Sequence, residues 1–138
     1  MMERELDDWL RRAASQQRTA AERALVDLDL TPAQFAVLSI VAEQPGASAA
    51  EVSRIEKLTP PTLSVIVGNL IRKKALAKRP HPDNARIQQL EATELGKRLF
   101  HQGEKRMQEA RRRLLSALPS GAEALVARWL RAVAGFSD

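Results

Sequence analysis

The sequence predicts a mainly α protein with a small β-wing, and three observations predict it. Long stretches at both ends repeat apolar residues at three- and four-residue steps, the mark of amphipathic helices. Between them, two helix start signals, at Ser48 and Thr59, stand close enough for a helix-turn-helix. Directly after the second of these helices, a short basic window holds the whole charge surplus of the chain.

Residues 3–28 contain no Gly or Pro and align Leu6, Trp9, Leu10, Ala13, Ala21 and Leu25 on one side. Over about seven turns at roughly 3.6 residues each, this is a long helix with an apolar stripe. An exposed helix laced by Arg/Glu pairs is one reading of it. A stripe too long for a small domain to cover favours a dimerisation helix instead. Thr31 then caps a second helix, with Pro32 at its first position, where a missing N–H costs nothing. Phe35, Leu38, Val41 and Ala42 form its core face, and Pro45-Gly46 stops it.

Ser48 with Glu51 is a capping box, opening a short helix with Val52, Ile55 and Leu58 along its apolar edge. Thr59 caps the next helix, again with proline behind it. At 100° per residue, Leu63, Ile66, Val67 and Leu70 face the core, and Pro61, Thr62, Val65, Gly68, Asn69 and Arg72 face away, with Ser64 on the flank. A helix used only for packing usually carries long charged residues on its free side. Here the free side is small and short up to Asn69, so the backbone can approach another surface closely.

Residues 75–80 and 87–91 are strand candidates around a turn, with Leu76 and Leu90 inward. Pro80 and Pro82 stiffen the tip that holds His81. Thr93 caps a long helix to about Leu118, with Leu95, Leu99, Met107, Ala110 and Leu114 on one side and Pro119 ending it. Ser120 and Glu123 read as a further capping box, opening a last helix that carries Leu125, Val126, Trp129, Leu130 and Val133. The last two helices and the first are expected to form one apolar surface, suited to a two-fold interface.

At 138 residues and 44% hydrophobic, the chain fits one domain with its own core. No apolar run reaches the roughly 18 residues of a membrane span, and the acidic start lacks the apolar segment of a secretory signal. With no cysteine, disulfides and thiol chemistry are excluded, and a cytoplasmic location is expected. Glycine-rich phosphate loops, His-Glu-x-x-His and Gly-x-Ser-x-Gly are all missing from the sequence. His81 and His101, without cysteines or a spaced acid set, do not make a metal site. Catalysis, a cofactor and a bound metal are therefore not expected.

The chain has 22 Lys+Arg against 17 Asp+Glu, a net charge of +5. Arg72, Lys73, Lys74, Lys78, Arg79 and Arg86 lie in a fifteen-residue window whose only anion is Asp83, and elsewhere the charges balance. Cations concentrated beside a groove-sized helix are the electrostatic signature of duplex binding, since each one placed on a phosphate releases a condensed counterion. The other reading is a winged-helix module that binds a protein. Val65 and Gly68 suit that, but the basic window would then require an acidic partner.

The run Leu30-Thr31-Pro32-Ala33-Gln34-Phe35-Ala36-Val37-Leu38, the segment Ser48 to Val52, Thr59-Pro60-Pro61-Thr62-Leu63-Ser64, Arg79 and Ala92-Thr93-Glu94-Leu95-Gly96 resemble the MarR family of bacterial transcriptional regulators. The resemblance implies a winged helix-turn-helix flanked by N- and C-terminal dimerisation helices. It implies one domain over residues 1–138, with 1–28 and 93–138 for dimerisation and 31–92 for DNA. It also implies a homodimer that binds a pseudo-palindromic double-stranded operator, usually as a repressor, and that is often released by a small ligand.

On that reading Thr59, Pro61, Thr62, Ser64, Val65 and Asn69 meet the major groove, Val65 suiting a thymine methyl and Asn69 an adenine. Arg72, Lys73, Lys74, Lys78 and Arg79 meet phosphates. Arg86, with His81 and Asn84, forms the wing contact. Trp9 and Phe35 are candidates for lining an effector cavity. The chain departs from the family pattern at Asn84, where an acid is usual, at Lys74, where the recognition helix commonly ends on glycine, and at Val65, Gly68 and Asn69, where a charged pair is common.

Overall fold

The computed structural model describes residues 1–136. Helix α1 (Met2–Leu25) runs into a 3₁₀ turn (Val26–Leu28), so the first helix ends three residues before the expected Leu28. Helices α2 (Pro32–Glu43), α3 (Ala49–Glu56) and α4 (Pro60–Arg72) follow, then strands β1 (Leu76–His81) and β2 (Asn84–Ala92). The chain closes with α5 (Glu94–Leu115) and α6 (Glu123–Ala134).

The local start signals set these boundaries. Thr31 and Ser48 each form a complete capping box, with Gln34 and Glu51 as the reciprocal partners. The hydroxyls of Thr59 and Thr93 accept from the N–H of Thr62 and Gly96. The last helix is different. Its N-cap is Ala122, without a side-chain cap, because Gly121, at φ 83°, turns the chain after Ser120. Glu123 is therefore the first helical residue and cannot serve as the third of a Ser120 capping box. The preceding helix α5 ends at Leu115, short of the expected Leu118.

One core joins the elements. Leu25, Leu38, Val41, Val52, Leu70 and Leu90, drawn from five helices and strands, lie within it fully buried. Leu63, Ile66, Val67 and Leu70 of α4 are all buried, as the periodicity requires. The strands pair antiparallel from Leu76↔Ala92 to His81↔Asn84, with an irregularity at Pro80/His81. Residues 46–48 also join this sheet, which no local residue pattern announced. Gly46 N–H donates to the Leu90 carbonyl (3.2 Å), Leu90 N–H donates to the Ala47 carbonyl (2.9 Å), and Ser48 bridges to Gln89.

Helix α5 comes close to the helix-turn-helix half at two glycines. A Cβ on Gly96 would collide with the Ala75 carbonyl, and one on Gly103 with the ring of Phe35. Phe35 is 5% exposed and stacks on Phe100 at 6.2 Å between ring centroids. By contrast α6 buries none of its side chains, and Leu6, Trp9, Leu114, Leu125, Trp129 and Leu130 remain exposed on α1, α5 and α6. No single helix is long and apolar enough to cross a membrane among the described residues.

Candidate nucleic-acid interface

The outer side of α4 is short-chained and open. The Thr59 hydroxyl is hydrogen-bonded to Thr62 Oγ1 (2.9 Å), which orders the first turn. Pro61, Thr62, Ser64 and Val65 are exposed, Val65 at 63%. Further along, the Arg72 guanidinium folds back across Gly68 and donates to Asn69 Oδ1. A Cβ at Gly68 would stand 3.7 Å from Arg72 Nη1, an ordinary van der Waals contact. Asn69 is half-buried, and its carbonyl is engaged before any ligand arrives.

The helix ends in a Schellman turn: Ala75 N–H donates to the Leu70 carbonyl and Lys74 N–H to that of Ile71, each at 2.9 Å. The motif demands a left-handed residue, and Lys74 takes it at φ 62°. That conformation swings Lys74 outward while Lys73 turns back. The Lys73 ammonium donates to the Asp29 carbonyl and to Gln34 Oε1 (3.0 Å). Adjacent lysines thus point into different surroundings, which spacing alone could not reveal.

On the wing, Lys78 and Arg86 are exposed, and neither has an ion-pair partner among the described residues. Lys74 is in the same state. Arg79 instead pairs with Glu91 across the strands. At the tip, His81 Nδ1 accepts from the Asp83 N–H (3.0 Å), and Asn84 Oδ1 accepts from the Arg86 N–H (3.1 Å). An amide serves in this second turn as well as a carboxylate would, because only an acceptor oxygen is used. Thr59, at the cap of α4, and Pro61, Thr62, Ser64 and Val65 on it are therefore all exposed, and Lys74, Lys78 and Arg86 carry exposed charges without an ion-pair partner among the described residues.

Trp9 and Phe35 do not come together. Trp9 is 57% exposed on α1, with the Arg12 guanidinium carbon 4.9 Å from its ring centroid. Phe35 lines a cavity of about 430 Å³ between α1, α2 and α5, with Gln17, Ser39, Met107 and Arg111 among its other walls. The Arg111 guanidinium is 2.5 Å from Glu104, which also lines it. That hydrogen bond raises the Arg111 pKa against the opposing effect of burial. A larger open groove of about 1180 Å³ runs between α1 and α5. Neither was legible beforehand, since each needs the relative placement of helices far apart in sequence.

Residues 28–87 match the MarR family. No curated protein matches the chain. Among solved structures, CouR from Rhodococcus jostii RHA1, bound to p-coumaroyl-CoA, has a TM-score of 0.88 at 22% identity, covering 100% of this chain and 97% of its own. BpsR from Bordetella bronchiseptica, described as having its DNA binding regulated by 6-hydroxynicotinic acid, gives 0.86 at 21%, with 95% and 94% covered. MepR from S. aureus, in complex with DNA, gives 0.84 at 21%, with 94% and 97% covered. The matched segment runs from the end of the 3₁₀ turn to β2, which is the helix-turn-helix and most of its wing, and the fold extends the likeness over both flanking arms. Over residues 28–87 the chain is similar to the MarR family, and along its whole length it shares the winged helix-turn-helix fold of these structures.

Proposed function

We propose that the protein is a sequence-specific, double-stranded-DNA-binding transcriptional regulator, acting in the cytoplasm as a homodimeric repressor and not as an enzyme. The observation that carries this reading is the open outer face of α4 with uncompensated cations beside it. Thr62, Ser64, Val65 and Asn69 read base edges, and Thr59 and Pro61 border them. Lys74, Lys78, Arg72 and, once released from Glu91, Arg79 take phosphates. Arg86, with Asn84 and His81, enters the minor groove.

Two copies joined through α1, α5 and α6 present two such helices about 34 Å apart to successive major-groove faces. The exposed apolar residues of those arms support this pairing. A small ligand in the Phe35 cavity would touch both the arms and α2, and so compete with DNA for the dimer's conformation. The DNA and ligand complexes of the related proteins support both halves of the reading.

The test is selection from a random duplex pool by the purified protein, followed by sequencing. An inverted repeat among the selected duplexes is expected. Binding to no duplex at low ionic strength would sink the reading and leave a winged-helix module for protein partners, which the 63% exposure of Val65 would then serve.

A further inference from the structure

We propose that Lys73 is a positioning residue that fastens the recognition helix to the α1–α2 junction and does not contact phosphate. The inference rests on the DNA-binding reading above and assigns one cation a different task within it. An ammonium has three donor directions and no acceptor. At Lys73 two oxygens accept from it, the Asp29 carbonyl and Gln34 Oε1 at 3.0 Å, while Asp29 Oδ2 at 3.6 Å is an ion-pair contact beyond hydrogen-bond distance. The Asp29 carboxylate is 96% exposed, so it contributes little. The two fixed acceptors hold the lysine, whose own side chain is only 30% exposed.

Both acceptors belong to the frame and neither belongs to the recognition helix. Gln34 is 8% exposed, and the same Oε1 accepts from the Thr31 N–H (3.2 Å) in the capping box of α2. Asp29 sits at φ 54°, ending the 3₁₀ turn that closes the α1 arm. Through one ammonium, the C-terminus of α4 is tied to the last residue of that arm and to the first turn of α2. In a dimer built on the arms, this tie sets the angle of each recognition helix and hence the separation of the pair. A few degrees of rotation would displace base-edge contacts, whereas phosphate attraction tolerates it.

The experiment compares Lys73→Met and Gln34→Met with wild type. Each is titrated at several salt concentrations against the duplex that wild type selects and against a scrambled duplex of equal length. Discrimination between the two duplexes is expected to fall about tenfold for both variants. The salt slope and the scrambled-duplex affinity should stay at their wild-type values. Gln34→Glu, which keeps the acceptor, should retain discrimination, and the double Met variant should be no worse than either single one.

A uniform loss on both duplexes in Lys73→Met, with the slope lowered by about one, would make Lys73 a phosphate contact and overturn the proposal. Unchanged discrimination in Gln34→Met would overturn it too, and that variant carries the test if Lys73→Met fails to fold. Wild type that binds neither duplex at low salt would remove the functional reading itself, and this assignment with it.

Discussion

Single side chains divide here by what already holds them. Lys78 is exposed without an ion-pair partner among the described residues, so its charge is available to a polyanion. Lys78→Ala should weaken all duplexes alike and lower the salt slope by about one, as read by titration at several salt concentrations; a sequence-selective loss would assign it another role. Arg79 is the opposite case, since Glu91 already holds its guanidinium. Glu91→Gln should therefore raise scrambled-duplex affinity and steepen the slope by up to about one. On the proposed DNA-binding reading, Asn69 would exchange its bond with Arg72 for one with a base. Asn69→Ala is expected to relax preference at one operator position, and repeating the duplex selection with the variant would detect it.

At the scale of elements, two local compromises stand out. The Schellman turn after α4 needs a left-handed residue, and a lysine occupies it. The Cβ of an L-residue there costs roughly 1–2 kcal/mol, so Lys74→Gly should raise the unfolding free energy by about 1 kcal/mol while weakening duplex binding. Denaturant unfolding and a binding titration on the same sample would separate the two effects. Gly103 is the reverse. Phe35 fills the space where its side chain would be, and α5 can lie against α2 only because nothing is there. Gly103→Ala should cost about 1–3 kcal/mol by overpacking, and an unchanged melting curve would show that the helices can separate without penalty.

For the molecule as a whole, the question is what covers the arms. Leu125, Trp129 and Leu130 are 64%, 45% and 43% exposed on a helix that buries none of its residues. Such a surface is unfavourable in water unless something covers it, and the proposed pairing supplies a second copy. Trp129→Glu should shift the protein to monomers in sedimentation and should lower affinity for an inverted repeat far more than for a single half-site. Equal losses on both would show that α6 serves something other than pairing.

Helix α4 could be read from its residues with little error. Thr59 and Pro60 mark its start, and the positions of Leu63, Ile66, Val67 and Leu70 fix its inner face, because capping and amphipathic periodicity act within one or two turns of chain. The same locality explains the boxes at Thr31 and Ser48, and its failure at Ser120, where a left-handed Gly121 shifted the helix start past the capping partner. What each cation does was decided only by tertiary structure. Lys73, Lys74, Lys78 and Arg79 are alike in a list of charges, yet Asp29 and Gln34 hold the first and Glu91 the last. Trp9 and Phe35 were separated in the same way. Charge and apolarity are properties of a residue, but an acceptor within 3 Å, or a cavity wall, exists only once distant segments are packed together.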